Sequence, residues 1–251
     1  MRSILKSLLK YYLKAITKLV LLIKRPTIIG VAGNTNKTFT KNKIVEELER
    51  NGKNVRANPN NFNTEIGLPL AILYLPSGYN YYQKWVPTIL KAPFVIFQRH
   101  FPDFLVLELG TSDAGDMKYL LTLVTPKISI ITDITQKYLE GYNDMEEMVK
   151  EYELLVKKTP KKGMVVLNYD NPEVRKLEKY AHSTVVSFGY HKNSDLRIIH
   201  SDRGEKGEVV KINRPEAGEE TYQLDRFGDH HIRAFLVALI IKQKMVYEGE
   251  I

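Results

Sequence analysis

Residues 27–41 read TIIGVAGNTNKTFTK. The first six, Thr27-Ile28-Ile29-Gly30-Val31-Ala32, are apolar and largely β-branched, which predicts a short buried strand. Gly33-Asn34-Thr35-Asn36-Lys37-Thr38 breaks that pattern, and from Lys41 to Arg50 the apolar residues Ile44, Val45 and Leu48 fall on one helical face. Strand, polar loop with Lys-Thr, then helix is the context in which a phosphate-binding loop works. Backbone N–H groups at the helix N-terminus face the phosphates, Lys37 adds a point charge, and the Thr38 hydroxyl can hold Mg²⁺. The position before the lysine is usually Gly, because the backbone there takes an unusual conformation close to phosphate. Here it is Asn36, the non-glycine type that best tolerates left-handed geometry. An ordinary strand–turn–helix with a solvated Lys37 is the competing reading of this window.

A chain of 251 residues can bury a large core and hold one or two domains. It has no Cys, which excludes disulfides, thiolate metal sites and cysteine nucleophiles and is compatible with a reducing cytoplasm. The net charge of +8 is concentrated: residues 1–25 contain seven Lys and Arg and no acid, which leaves +1 for the rest. A basic total spread over a binding face would suggest nucleic acid, but charge confined to one terminal segment does not, and no nucleic-acid partner is expected.

That segment reads as a basic amphipathic helix. Ile4, Leu5, Leu8, Leu9, Tyr12, Ile16, Leu19, Val20 and Ile23 recur at helical spacing, and Lys6, Lys10, Lys14 and Lys18 form a stripe four residues apart. The lysines are too frequent for a membrane span, and a signal peptide's uninterrupted apolar core is missing. Two readings stay open: a helix lying on an anionic membrane surface, or a helix packed on the protein's own core. Pro26 ends it.

Beyond the loop, Lys53–Ala57 predicts a second strand, and Asn58 to Thr64 a turn-rich loop leading through Thr64 into a helix up to Leu73. Tyr79–His100 predicts helical pieces broken at Pro87 and Pro93, with Trp85 packed. FLVLELG, residues 104–110, is a nearly continuous apolar run, as in a parallel strand covered on both faces. Glu108 sits near its carboxyl end, where open α/β sheets place ligands, and a carboxylate there suits Mg²⁺ beside bound phosphates. Asp116 is expected to cap a helix over 117–124. Strands at 127–134, 164–167 and 184–188 alternate with helices at 143–157 and 172–181, which predicts a doubly wound, mostly parallel sheet. From Asp195 to Leu224 the pattern changes to short strands with a hairpin turn at Gly204 and Gly207, a small antiparallel extension. Asp229–Val246 closes the chain as a helix.

Taken together, GVAGNTNKTFTK, NPNNFNTEIGLPLAIL, LVLELGTSDAGDMKYL, PKISIITDITQKYLEGY, VVLNYDNPEV and GDHHIRAFLVAL resemble, in order and spacing, the ATP-binding central domain of the Mur ligase family, with the greatest likeness to its D-alanyl-D-alanine-adding members. The resemblance covers about Thr27 to Lys242 and gives residues 1–26 as an N-terminal helix and 27–251 as a central domain. It implies ATP-dependent phosphorylation of a carboxylate and attack by an amine, in the setting of peptidoglycan-precursor synthesis. Such phosphoryl transfer is mostly positioning and electrostatics. The resemblance further implies that Gly33, Asn34, Thr35, Asn36, Lys37 and Thr38 cradle the nucleotide. Lys37 and Glu108 would carry the catalysis, and Thr38 and Glu108 would hold Mg²⁺. Asn63 and Thr64 would face the substrate, and Asn168, Asp170 and His231 would lie toward the nucleotide.

Several positions depart from the family pattern. Asn36 replaces a Gly, Asp133 an Asn, Tyr138 a His, and His231 an Asn that contacts adenine. Tyr152 stands where the family carbamylates a lysine for a second Mg²⁺, and a phenol is no substitute for that hard oxygen ligand at neutral pH. His230 and His231, as helix neighbours, are not expected to share a metal. The resemblance leads to the expectation that residues 1–25 stand in place of the family's UDP-substrate domain and that its closing domain comes from a partner chain. The implied location is the cytoplasm, peripheral at the inner face of the membrane if residues 1–25 bind there. A non-catalytic scaffold built on the ligase fold is the alternative function.

Overall fold

Strand β1 (Thr27–Ala32) lies inside one nine-stranded sheet, between β3 (Phe104–Glu108) and β4 (Ile128–Ile131) and parallel to both. The structure, a computed structural model, describes residues 2–59, 62–79, 81–215 and 217–246, so Asn60 and Asn61 of the predicted loop lie outside the described residues. The sheet continues with β2 (Val55–Ala57) beyond β3, and with β5 (Met164–Asn168), β6 (Thr184–Gly189) and β7 (Leu196–Gly204) beyond β4, all parallel. Strands β8 (Gly207–Arg214) and β9 (Gly218–Gln223) then add as antiparallel hairpins. The Gly204–Gly207 pair closes the first hairpin around Glu205-Lys206, as the glycines predict. The doubly wound sheet with an antiparallel end is thus the predicted architecture. From β1 the chain crosses to the edge strand β2, returns through β3 and then passes to β4 on the other side, so the crevice between the carboxyl ends of β1 and β3 is a topological switch point.

Strand alternation sends Ile29 and Val31 to one face of the sheet and Ile28 and Ala32 to the other. The first face is covered by α2 (Lys37–Arg50) and α8 (Asp229–Val246), through Ile44, Leu48, Ile232, Leu236 and Ile240. The second carries α3 (Gly67–Leu73), α5 (Asp116–Leu120) and α6 (Met145–Lys158). Helix α1 (Arg2–Lys24) joins this second face through buried Leu13 and Val20 and packs on α3 and on the 3-10 turn Ala92–Phe97. Tyr12 also donates to the Ile89 carbonyl at 2.7 Å. Core packing is therefore one of the roles of residues 1–25.

Three local expectations are corrected. Helix α4 (Tyr82–Lys91) runs straight through Pro87, and the break falls later, at the 3-10 turn with Pro93 in its first turn. A proline inside a helix removes one hydrogen bond, yet the helix continues past the exposed Pro87 to Lys91. Asp116 does not cap α5. Its carboxylate accepts from the Ser112 and Asp113 N–H groups, while the helix start is held by buried Glu151 of α6, which accepts from Gly115 and Met117 N–H at 2.9 and 2.7 Å. The predicted 172–181 helix is α7 (Pro172–Arg175) followed by a 3-10 turn, Lys176–Tyr180.

The two sheet edges differ. β2 is only three residues long, and β9 is exposed and polar, with Glu219 paired to Lys211 and Glu220 to Arg214.

Candidate functional site

The loop after β1 keeps an open turn. Gly33 has φ +135°, and a Cβ added there would meet Thr132 Oγ1 at 2.2 Å and Asp133 N at 2.9 Å, so the position admits only glycine. Asn36 sits at the N-terminus of α2 with φ 62°, ψ 1°, in the left-handed conformation. Its side-chain amide donates to Asp133 Oδ2 at 3.1 Å, and Thr35 Oγ1 donates to the same oxygen at 3.1 Å. A side chain in place of glycine is thus tied down rather than merely accommodated. Asn36→Ala is expected to cost about 1–2 kcal/mol, from left-handed strain and the lost hydrogen bond, and more than Asn36→Gly. Urea midpoints of the three proteins check this; an Ala variant more stable than the Gly variant would contradict the left-handed assignment.

Lys37 folds back over the loop. Its Nζ donates to the carbonyls of Gly33 at 2.6 Å and Asn34 at 3.2 Å. Burial lowers the Lys37 pKa, and the Glu108 carboxylate opposes that shift. Asn34 is anchored at both ends, its N–H donating to Asp133 O at 2.6 Å and its Oδ1 accepting from Thr135 N at 2.7 Å.

Thr38 Oγ1 donates to Glu108 Oε2 at 3.0 Å, which joins the first turn of α2 to the end of β3. Glu108 is buried, and Lys41 Nζ lies 3.6 Å from the same oxygen while donating to Asn58 O at 2.6 Å. Asn58 completes the clasp by pairing with the Glu108 backbone through both ends of its amide, at 2.8 and 3.0 Å. Among the described residues no group of three or more His, Cys, Asp or Glu could hold a metal. A divalent ion at Thr38 and Glu108 would therefore need phosphate oxygens and waters for its remaining positions, as Mg²⁺ usually has.

Asp133 is the second organising carboxylate. Besides Thr35 and Asn36 it accepts from Asn168 Nδ2 at 3.0 Å, and burial raises its pKa against the pull of Arg233 and of these three hydrogen bonds. Asn168 is fully buried and also donates to Thr132 O at 2.8 Å, so it ties the ends of β4 and β5 together. Asp170 accepts from His191 N at 2.8 Å and pairs with Arg233 of α8 at 3.1 Å.

Two cavities flank the start of α2. The larger, about 440 Å³, has Gly33, Asn34 and Lys37 on one wall, Asn63 and Thr64 on another, and Thr111 and Lys137 among the rest. The loop predicted to hold phosphate and the loop predicted to face substrate thus meet across one space. Asn63 is fixed there by Gly110 N–H donating to its carbonyl at 3.2 Å. His231 lines the other cavity, about 280 Å³, with Phe39, Lys43, Arg226 and Phe235. The rings of His230 and His231 lie 4.2 Å apart, and both pack on Phe39 at 4.5 and 5.2 Å. Burial lowers the His231 pKa, and His230 and Arg226 push it the same way.

Tyr152 fills the core beneath the larger cavity. It is fully buried, its hydroxyl accepts weakly from Thr111 Oγ1 at 3.4 Å, and burial raises its pKa. Tyr138 belongs to a 3-10 turn, Gln136–Tyr138, and its side chain lies outside those described. Lys41, Asn58, Arg233 and Phe39 are site residues that the sequence reading misses. Asp133 enters that reading only as a departure from the family pattern.

With this geometry in place, comparison with known proteins gives a consistent answer. The family model described as Mur ligase middle domain matches residues 87–241. A UDP-N-acetylmuramoyl-tripeptide--D-alanyl-D-alanine ligase of Mycobacterium leprae is 25% identical over 226 residues, covering 86% of this chain and 39% of that protein. The crystal structure of MurF from Acinetobacter baumannii superposes with a TM-score of 0.73 at 15% identity, over 94% of this chain and 46% of the other. MurF from Thermotoga maritima, solved in complex with ADP, gives 0.71 at 20% identity, over 95% and 50%. The chain therefore spans half or less of each of these relatives. With more than half of its residues matched to the family model, the chain belongs to the Mur ligase family through its middle domain.

Proposed function

We propose that this chain is the nucleotide-binding unit of an ATP-dependent amide-forming ligase, and that ATP binds with Mg²⁺ at residues 33–38. The observation that carries this reading is the loop itself: an open turn with Gly33 and left-handed Asn36 at the N-terminus of a long helix, its Thr38 hydroxyl 3.0 Å from Glu108 at a strand end. Lys37 would leave the Gly33 and Asn34 carbonyls for the phosphates, exchanging neutral acceptors for charged ones. Thr38 and Glu108 would hold the metal, which when bound neutralises phosphate charge. The adenine end would reach toward His231 and Phe39, with Asn168 and Asp170 shaping the far side through Asp133 and Arg233. A carboxylate of the peptidoglycan-precursor type would enter along Asn63 and Thr64 and accept the terminal phosphoryl group as ADP leaves, and an amine would then attack the acyl phosphate, forming the amide and releasing inorganic phosphate.

Isothermal titration with ATP–Mg²⁺ tests the reading. Heat is expected at or below millimolar nucleotide, with Lys37→Ala weakening binding by about tenfold or more, the value of one charge-assisted contact. No heat from the unaltered protein would leave the fold as a non-catalytic scaffold.

A further inference from the structure

Helix α1 has a second apolar side. Leu13, Thr17 and Val20 face the core, but Ile4, Leu8, Tyr11, Leu19 and Leu22 project outward, between 42% and 67% exposed. This outer side does not stand alone. The Tyr12 hydroxyl bond to Ile89 O and the Lys24 bond to Gln98 O lay α1 alongside α4 and the following 3-10 turn. There Val86, Leu90, Phe94 and Phe97 are 55% to 76% exposed. Because the two segments pack side by side, their exposed apolar side chains are gathered in one region rather than scattered singly.

The charge around this surface has one sign. Residues 1–25 contain no acid, and neither do residues 66–102, whose charged side chains are Lys84, Lys91 and Arg99. Glu65, the acid just before that second stretch, is neutralised by pairing with both Lys6 and Lys10. Lys18 on α1 and Arg25 just past its end are exposed, as are Lys84, Lys91 and Arg99 on the second segment. No helix among the described residues is long and apolar enough to cross a membrane. A protein partner would more often meet a rim of mixed charge. Apolar side chains set among cations alone match an anionic lipid surface, with hydrocarbon under the leucines and phenylalanines and headgroups at the lysines.

We infer that α1 and the segment 82–99 form one surface that docks in the plane of an anionic bilayer. The surface is built from two elements, and it does not depend on what the phosphate loop binds. Flotation of the full chain with phosphatidylcholine vesicles, with and without phosphatidylglycerol, tests it. The protein is expected to float with anionic vesicles, to float at least about tenfold less with neutral ones, and to be released by salt. Leu8→Glu with Leu22→Glu on α1, and separately Leu90→Glu with Phe94→Glu on the second segment, should each reduce flotation by about tenfold or more. All four sites are exposed, so unchanged thermal midpoints are expected to show that the variants fold. No flotation of the unaltered protein overturns the inference. So does full flotation of the second variant, which would leave α1 acting alone. Concentration-dependent dimerisation abolished by the same substitutions would instead assign the surface to a second copy of the chain, and also overturns it.

Discussion

Lys41→Met is expected to lower the stability of the protein by about 3–5 kcal/mol, the range for removing one partner of a buried ion pair. The Lys41 side chain is 3% exposed and that of Glu108 10%, so neither charge can turn to water for compensation. Lys41 Nζ serves two acceptors, Glu108 Oε2 and the Asn58 carbonyl, and the methionine leaves both without it. Burial lowers the Lys41 pKa, while Glu108 opposes that shift by charge and by hydrogen bonding. Urea unfolding with an unchanged slope would report the loss directly. Adding Glu108→Gln to Lys41→Met should restore a large part of it, because the uncompensated carboxylate disappears with the lysine already gone. A single-variant loss below about 1 kcal/mol, the level of an exposed pair, would show that water reaches Glu108.

Gly33→Ala is the second large effect, expected at about 3 kcal/mol or more, since steric overlap adds to backbone strain. The methyl group would stand 2.2 Å from Thr132 Oγ1, a hydroxyl already committed to the Thr35 carbonyl at 2.6 Å. Relieving the overlap must displace either the loop or the end of β4, and both carry the nucleotide reading. Gly52→Ala is the control. That glycine also has positive φ, +71°, but nothing lies within 4 Å of its missing Cβ. Its cost should stay near the 1 kcal/mol of left-handed strain alone. Equal losses for the two variants would mean that crowding at Gly33 plays no part.

These two sites differ in how far the sequence announces them. β1, the loop and α2 are legible because strand and helix periodicities change over a dozen residues, and all the information is local. Glu108 is legible from its place at the end of a continuous apolar strand, and the β7–β8 hairpin from its glycines. Lys41 is not. In the sequence it is one more polar residue on an amphipathic helix, and only the approach of Asn58 and of Glu108, 67 positions away in the numbering, makes it a buried cation. The same holds for Glu151 at the start of α5, which local capping rules assign to Asp116, and for Arg233 reaching Asp170 from the last helix. The direction of Lys37 is likewise invisible to motif logic, which specifies an ammonium near phosphate but not the carbonyls that hold it otherwise. Asp133 is the instructive intermediate: recognised as a departure, it turns out to accept from Asn36, the other departure, so that two replaced residues bond each other.

The borders of the sheet bear on how the protein behaves when crowded. A three-residue strand on one side offers too few unpaired amides to recruit a neighbour, and on the other side an incoming strand would meet a border of glutamates already partnered by Lys211 and Arg214. Nine strands in one layer would otherwise be an open invitation to fibrous growth. Here lateral accretion is blocked at both borders, so a concentrated solution should stay free of cross-β material.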